Sequence, residues 1–453
     1  MVSDETRKSR EDPVTAGTRH TKHLRSSPRH RYVGSSRDTG LAGRLRQDHL
    51  IQLMARTAGF NVTATVAAGL GGVILARAVG PAVRGEYAAV TAWFGLALMV
   101  GGMGQPAALC FYVARDPRQA PEYVATSRTM MLLTGSIALT GGLLLAPVLS
   151  HGHRAVILGY RIAFCASILA FVGASYTFSL QARDLRRWNL VRVSQPLLGL
   201  IGIVVLWRLD LLTLNSALAV MSLTMLLQFG LAYSYCRHVR LAPGRAKRSL
   251  VKPLTAYGVA QIAALTPAVL NAQLDQLVLS QTVPAADLGR YAIAVSLTLL
   301  PTPVASAIGY VAFPWLASQQ AVSRASYRLQ QLAVFGSAVV AAGMLVPLAL
   351  AANWIVPLVF GTSYEQAVPL IWILTPGAIF LTCGQVVGDL LRGRNRPMAV
   401  ARAQGFAVIF TVVLLLALLP AVGVVGAAIA STVAYGVALA AMLRSLRRLP
   451  RPQ

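Results

Sequence analysis

The stretch ILARAVGPAVRGEYAAV, residues 74–90, decides how this chain is read. It interrupts an apolar run with Gly80, Pro81, Arg84, Gly85 and Glu86, then restarts on Tyr87. A second interruption, VLSQTVPAADLGRYAIAV at residues 278–295, places Pro284, Gly289 and Tyr291 in much the same order. Gly85 and Gly289 are 204 residues apart, and so are Tyr87 and Tyr291. A hydrophobic rhythm broken twice in the same way, almost half the chain apart, points to a duplicated unit.

The runs on either side of these breaks identify the solvent. Apolar residues make up 55% of the 453 positions, only 12% are charged, and mean hydropathy is +0.60. A soluble chain carries about 25% charged residues. Here the charge is pushed into short clusters between apolar stretches long enough for a bilayer core of about 30 Å. Helix is the expected state, because hydrocarbon offers no partner for unpaired backbone groups, and a barrel would show short alternating segments instead. Twelve spans are expected, at 51–77, 87–113, 124–149, 156–180, 188–207, 214–236, 254–281, 288–315, 328–358, 366–391, 399–419 and 423–443. The ninth contains Pro347 and Pro357 and is expected to kink or end early.

Residues 1–50 differ from all that follows. Eleven Lys/Arg and six Asp/Glu stand there without an apolar run, which predicts a disordered basic tail. The remainder divides into a six-helix lobe over 51–236, a basic linker over 237–253, a second six-helix lobe over 254–444, and a short tail over 445–453. Positive charge alternates between the two sides. Arg115, Arg118, Arg183, Arg186, Arg187, Arg237, Arg240, Arg245, Lys247, Arg248, Lys252, Arg392, Arg394 and Arg396 fall on the side of the tails. Only Arg77, Arg84, Arg154, Arg208 and Arg290 fall on the other. The positive-inside bias therefore predicts a plasma- or inner-membrane protein with both termini cytoplasmic. Six spans per half make the repeat a parallel one, about an axis along the membrane normal.

The pI of 11.1 does not indicate nucleic acid, since the arginines are interleaved with hydrophobic spans and follow no nucleic-acid-binding pattern. Cys110, Cys165, Cys236 and Cys383 stand alone, and His151 and His153 form a lone pair in a short loop, so no metal and no cofactor is expected. No P-loop, HExxH or GxSxG is present, which argues against an enzyme.

Candidate translocation residues come from the breaks and the polar faces. Gln105 follows the glycines of GGMGQP, residues 101–106, and its repeat mate at 204 residues is Gly309 in the eighth span. In the seventh span Gln261, Asn271 and Asp275 project within about 80° of one another, a stripe suited to a water-filled cavity. An intramembrane carboxylate is a functional candidate, the alternative for Asp275 being a structural pair with Arg77 or Arg290. Arg56 shares a face with Gly59, Thr63 and Ala67 on the first span. It either snorkels to headgroups or offers a cation to an anionic phosphate at the mouth of a cavity.

These patterns resemble a known family. ILARAVGPAVRGEYAAV followed by FYVARD at 111–116, and LDQLVLSQ at 274–281 followed by LGRYAIA at 288–294, are similar to polysaccharide flippases of the multidrug/oligosaccharidyl-lipid/polysaccharide exporter superfamily. The resemblance covers about residues 50–445. It implies two lobes around a central cavity that opens alternately to either side. The implied cargo is an oligosaccharide on polyprenyl diphosphate, moved from the inner to the outer leaflet for surface polysaccharide. Polymerase or glycosyltransferase machinery is a candidate partner. Ion-coupled drug antiport and flipping of a lipid-linked peptidoglycan precursor are the alternatives within the same superfamily.

Overall fold

The computed structural model describes residues 41–242, 244–318, 324–394 and 396–448. Residues 1–40, most of the expected tail, lie outside the described residues. Leu53–Gln453 form one compact unit, separate from Met1–Gln52. The described residues are all-α. Seven helices build the first half: α1 (Leu41–Gly101), α2 (Gln105–Arg115), α3 (Ala120–Leu149), α4 (Arg154–Cys165), α5 (Ser167–Arg183), α6 (Leu185–Arg208) and α7 (Leu214–His238). Eight build the second: α8 (Arg248–Thr282), α9 (Ala285–Thr298), α10 (Thr302–Ser318), α11 (Arg324–Leu350), α12 (Ala352–Phe360), α13 (Val368–Gly393), α14 (Pro397–Val422) and α15 (Val424–Arg447).

The expected twelve passes map onto these helices. Arg56–Gly101 is 46 residues of helix, about 69 Å at 1.5 Å per residue, and too long for one pass. Gly80 at φ 75° and ψ 174°, followed by Pro81, breaks that run and turns it into two passes. The second pass continues through α2, and α4 with α5 make one pass. A 42° bend within Ala285–Thr298 and Thr302–Gly309 leaves α9 and α10 as one further broken pass. The ninth span ends early, at Leu350 rather than near residue 358, and the remainder folds as α12. That helix keeps Val356 and Phe360 buried and turns Trp354 and Leu358 outward.

Side chains sort by solvent. In the first half α3 packs on α4 and α5, and α7 on α4, α5 and α6; in the second α13 packs on α10, α11 and α15, and α14 on α15. Leu144, Phe335 and Leu416 point out of the bundle, where acyl chains would meet them. α8 belongs to both halves. Its start, with Leu250 and Leu254, packs in the core of the first half against Leu109, Tyr123 and Tyr176. After a 60° bend between Arg248–Ile262 and Thr266–Thr282, Leu279 packs with Tyr291, Ile371 and Ala427 of the second.

Candidate functional site at the seam of the two halves

The two breaks that opened the sequence reading meet in space. A Cβ on Gly85 would lie 2.6 Å from the Ala285 carbonyl carbon and 2.9 Å from the Gly289 nitrogen. A Cβ on Gly289 would lie 2.9 Å from the Pro81 carbonyl carbon and 3.0 Å from the Gly85 nitrogen. Each contact is the image of the other, because Pro81 and Ala285 are also 204 residues apart. Two helices therefore cross where small residues four apart leave no side chain between the backbones.

Further bonds close this end of the seam. The Arg77 guanidinium donates to the Leu358 carbonyl at 2.8 Å, so a side chain of α1 caps the last turn of α12. Tyr364 Oη donates to the Ala76 carbonyl at 3.1 Å, and Trp93 Nε1 donates to Ser280 Oγ at 2.9 Å.

At the opposite end α2 meets the first half of α8. Gly104, at φ 64°, holds the left-handed turn that ends the break after α1, and a Cβ there would lie 2.7 Å from Gly258 Cα. Phe111 and Tyr257 stack with centroids 4.5 Å apart. Lys247 pairs with Glu122 at 3.3 Å, and its backbone N–H donates to Thr126 Oγ1 at 3.0 Å. The basic linker is thereby held on the first half, at the start of α3.

The sequence-predicted polar residues do not form one cluster. Asn271 and Asp275 are brought together inside the second half, 2% and 3% exposed. Asp275 Oδ2 accepts hydrogen bonds from Tyr291 Oη of α9 and, at 3.1 Å, from Ser431 Oγ of α15. One turn away Asn271 Oδ1 accepts from Thr411 Oγ1 of α14 at 2.6 Å, and Tyr435 Oη donates to the Asn271 carbonyl at 3.4 Å. The alternative reading of Asp275 as the partner of Arg77 or Arg290 is corrected. Arg77 bonds to α12, and Arg290 pairs with Asp287 at 2.8 Å. Neutral hydroxyls surround Asp275 because the bent half of α8 turns it toward α9 and α15.

Gln105 lies apart, at the first turn of α2 in the first half, 1% exposed and with neither amide atom hydrogen-bonded. Gln261 is half-buried on α8. Arg56 is exposed, as are Gly59 and Thr63 on its face, whereas Ala67 is buried. Beside Arg56, Thr57 Oγ1 accepts from Asn189 Nδ2 of α6 at 2.9 Å. Tyr291, Thr411, Ser431 and Tyr435 were not identified from sequence. Tyr291 carried a signal through its repeat mate Tyr87, but hydroxyl residues in apolar helices are too common to single out the others.

Comparison with known proteins follows the same lines. A family described as polysaccharide biosynthesis protein matches residues 57–320. An uncharacterized membrane protein of Methanocaldococcus jannaschii is 24% identical over 213 residues, 45% of this chain and 42% of that protein. The chain thus aligns with less than half the length of that relative. Among solved structures the fold is similar to lipid II flippase MurJ in an inward closed conformation, with TM-score 0.73 and 12% identity, covering 86% of this chain and 88% of that one. An inward-facing multidrug resistance MATE family transporter of the MOP superfamily gives TM-score 0.70 at 14% identity, covering 85% and 94%. An outward-facing multidrug resistance MATE family transporter gives 0.61 at 15% identity, covering 88% and 97%. At these identities the likeness is one of fold.

Proposed function

Because this chain belongs to the polysaccharide biosynthesis protein family, we propose that it flips a polyprenyl-diphosphate-linked oligosaccharide from the inner to the outer leaflet of the cell membrane by alternating access. The observation that carries the choice of cargo is the placement of carboxylates. The expected spans hold only Asp275 and Asp389. Asp275 is sealed behind Tyr291 and Ser431, and Asp389 is paired with Arg392 at 2.6 Å. An organic cation would need an accessible carboxylate or aromatic cage. An anionic diphosphate needs a cation, and Arg56 stands exposed on the small, hydroxyl-bearing face of the first pass.

With both termini cytoplasmic, the Gly85–Gly289 crossing closes the outer end and Arg56 stands at the inner one. Arg56 captures diphosphate there, and separation of the crossing releases the saccharide outside. Asp275 carries an exchangeable proton within the second lobe, coupling its hydroxyl network to the lobe movement. A charge-assisted contact contributes about 1.5–3 kcal/mol, so Arg56→Ala weakens capture roughly 10- to 100-fold, and Arg56→Lys less.

The test is lipid analysis of a deletion strain. The expected result is a saccharide-lipid stranded in the inner leaflet, protected from enzymes added to spheroplasts and released by wild type but not by Arg56→Ala. Accumulation of a peptidoglycan precursor instead would keep the flippase and change the cargo. No stranded lipid, together with lost efflux of an organic cation, would replace this reading with antiport.

A further inference from the structure

The outward face of α7 changes chemistry along its length. Leu223, Leu226, Leu227 and Gly230 are exposed at successive helical positions, and the same stripe continues through Tyr233 and Ser234 to Arg237 and His238. From Leu223 to Arg237 is about 21 Å of helix, which covers one leaflet's hydrocarbon depth and reaches the headgroups. At the cationic end Tyr233, Ser234, Arg237 and His238 line a groove of about 410 Å³. Its aromatic edge is fixed, with Tyr233 stacked on Phe229 at 6.3 Å and edge-on to Tyr176 at 5.4 Å.

The polar side chains of this groove are unspent. Among the described residues neither Arg237 nor His238 has a carboxylate partner or a side-chain hydrogen bond. The nearby Arg187 is already committed, to Asp184 at 3.3 Å and over the ring of Tyr235. An apolar track, an aromatic residue at the boundary, then a hydroxyl, a guanidinium and an imidazole follow the order of groups in a phospholipid, from acyl chain to phosphate. We propose that this stripe is a binding site for one anionic phospholipid, its phosphate held by Arg237, His238 and Ser234 and one acyl chain lying along Leu223–Gly230. Basic pockets beside transmembrane helices on the cytoplasmic side take anionic headgroups in this way, and the charge bias assigns this end of α7 to that side. The site faces the bilayer, lies away from the seam between the lobes, and does not depend on which cargo is flipped.

Native mass spectrometry of the purified full-length protein, titrated with phosphatidylglycerol or phosphatidylcholine, tests this. Phosphatidylglycerol is expected to bind tighter at the first site, with affinity falling about fivefold in Arg237→Gln and roughly 30-fold in Arg237→Gln/His238→Gln. Arg245→Gln, an exposed cation at the same end but outside the groove, is expected to bind like wild type. Inorganic phosphate at millimolar concentration should fail to displace the lipid, because it lacks the acyl contact. Displacement by phosphate would overturn the lipid assignment. Equal binding of the two lipids, or an unchanged double variant, would overturn the site. A change in oligomeric state without a change in lipid binding would mark the stripe as a contact between copies and also overturn it.

Discussion

Gly85→Ala is the smallest perturbation that tests how the two halves close on each other. The new methyl would lie 2.6 Å from the Ala285 carbonyl carbon, and closer still to its oxygen. Carbon atoms rest at about 3.5–4.0 Å, so the helices must part by about 1 Å or more. The clash is with backbone, which no rotamer change relieves. Overpacking of this kind costs about 1–3 kcal/mol, which shifts the balance between closed and open seam roughly 5- to 150-fold. Spin labels at Ala82 and Thr282, both exposed, report the change through electron–electron distances in a background cleared of Cys110 and Cys165. A longer distance population is expected to grow in Gly85→Ala and, by the same geometry, in Gly289→Ala. The double variant should add little once the crossing has opened. Gly69→Ala is the control, since a Cβ there meets nothing within 4 Å. Distances and transport unchanged in Gly85→Ala would refute the view that this crossing holds the seam.

Other outcomes follow from the same geometry. Asp275→Asn is expected to impair transport at normal expression, and Tyr291→Phe to do likewise. Their stability effects should be non-additive by about 0.5–3 kcal/mol in a double-mutant cycle, and simple additivity would mean the two do not act as a pair. Gly104→Ala places a Cβ 2.7 Å from Gly258 Cα at a left-handed position, so lowered thermal stability is expected even where the Gly85–Gly289 crossing is intact. Topology is checked by a cysteine at position 247, which should react with an impermeant maleimide only after the cells are opened; labelling of intact cells would reverse the orientation.

Much of this fold was readable because a bilayer constrains sequence so strongly. Apolar length located the passes, and Gly80–Pro81 marked the turn between the first two. The 204-residue spacing was legible as a repeat, but a repeat does not say which copies touch. That Gly85 faces Gly289 became visible only in three dimensions. The early end of the ninth pass was signalled by Pro347 and Pro357, whereas the cap that Arg77 places on α12 was not, since its acceptors lie 281 and 282 residues away. Asp275 announced itself as one of only two acids in the expected spans, the other, Asp389, standing near a span's end. Its partners did not, because Ser431 stands 156 residues on, in a helix where serine is ordinary. The division of α8 between two cores was hidden as well: Pro267 lies beside the bend, but periodicity cannot say that each half joins a different neighbour.

The crossing at Gly85 and Gly289 also shows what an internal two-fold leaves free to vary. Two copies of a half-length chain meeting about a two-fold axis must present the same residues to each other, so every side chain beside the axis has to tolerate its own image. A single chain that carries both repeats is free of that demand. Position 84 now holds an arginine where its mate, position 288, has a leucine, and positions 86 and 290 carry glutamate and arginine, opposite in sign. Between them the two glycines are identical, because backbone touching backbone leaves no room for either copy to diverge. The axis relates the two glycines as a homodimer's axis would, while the residues around it differ between the two repeats.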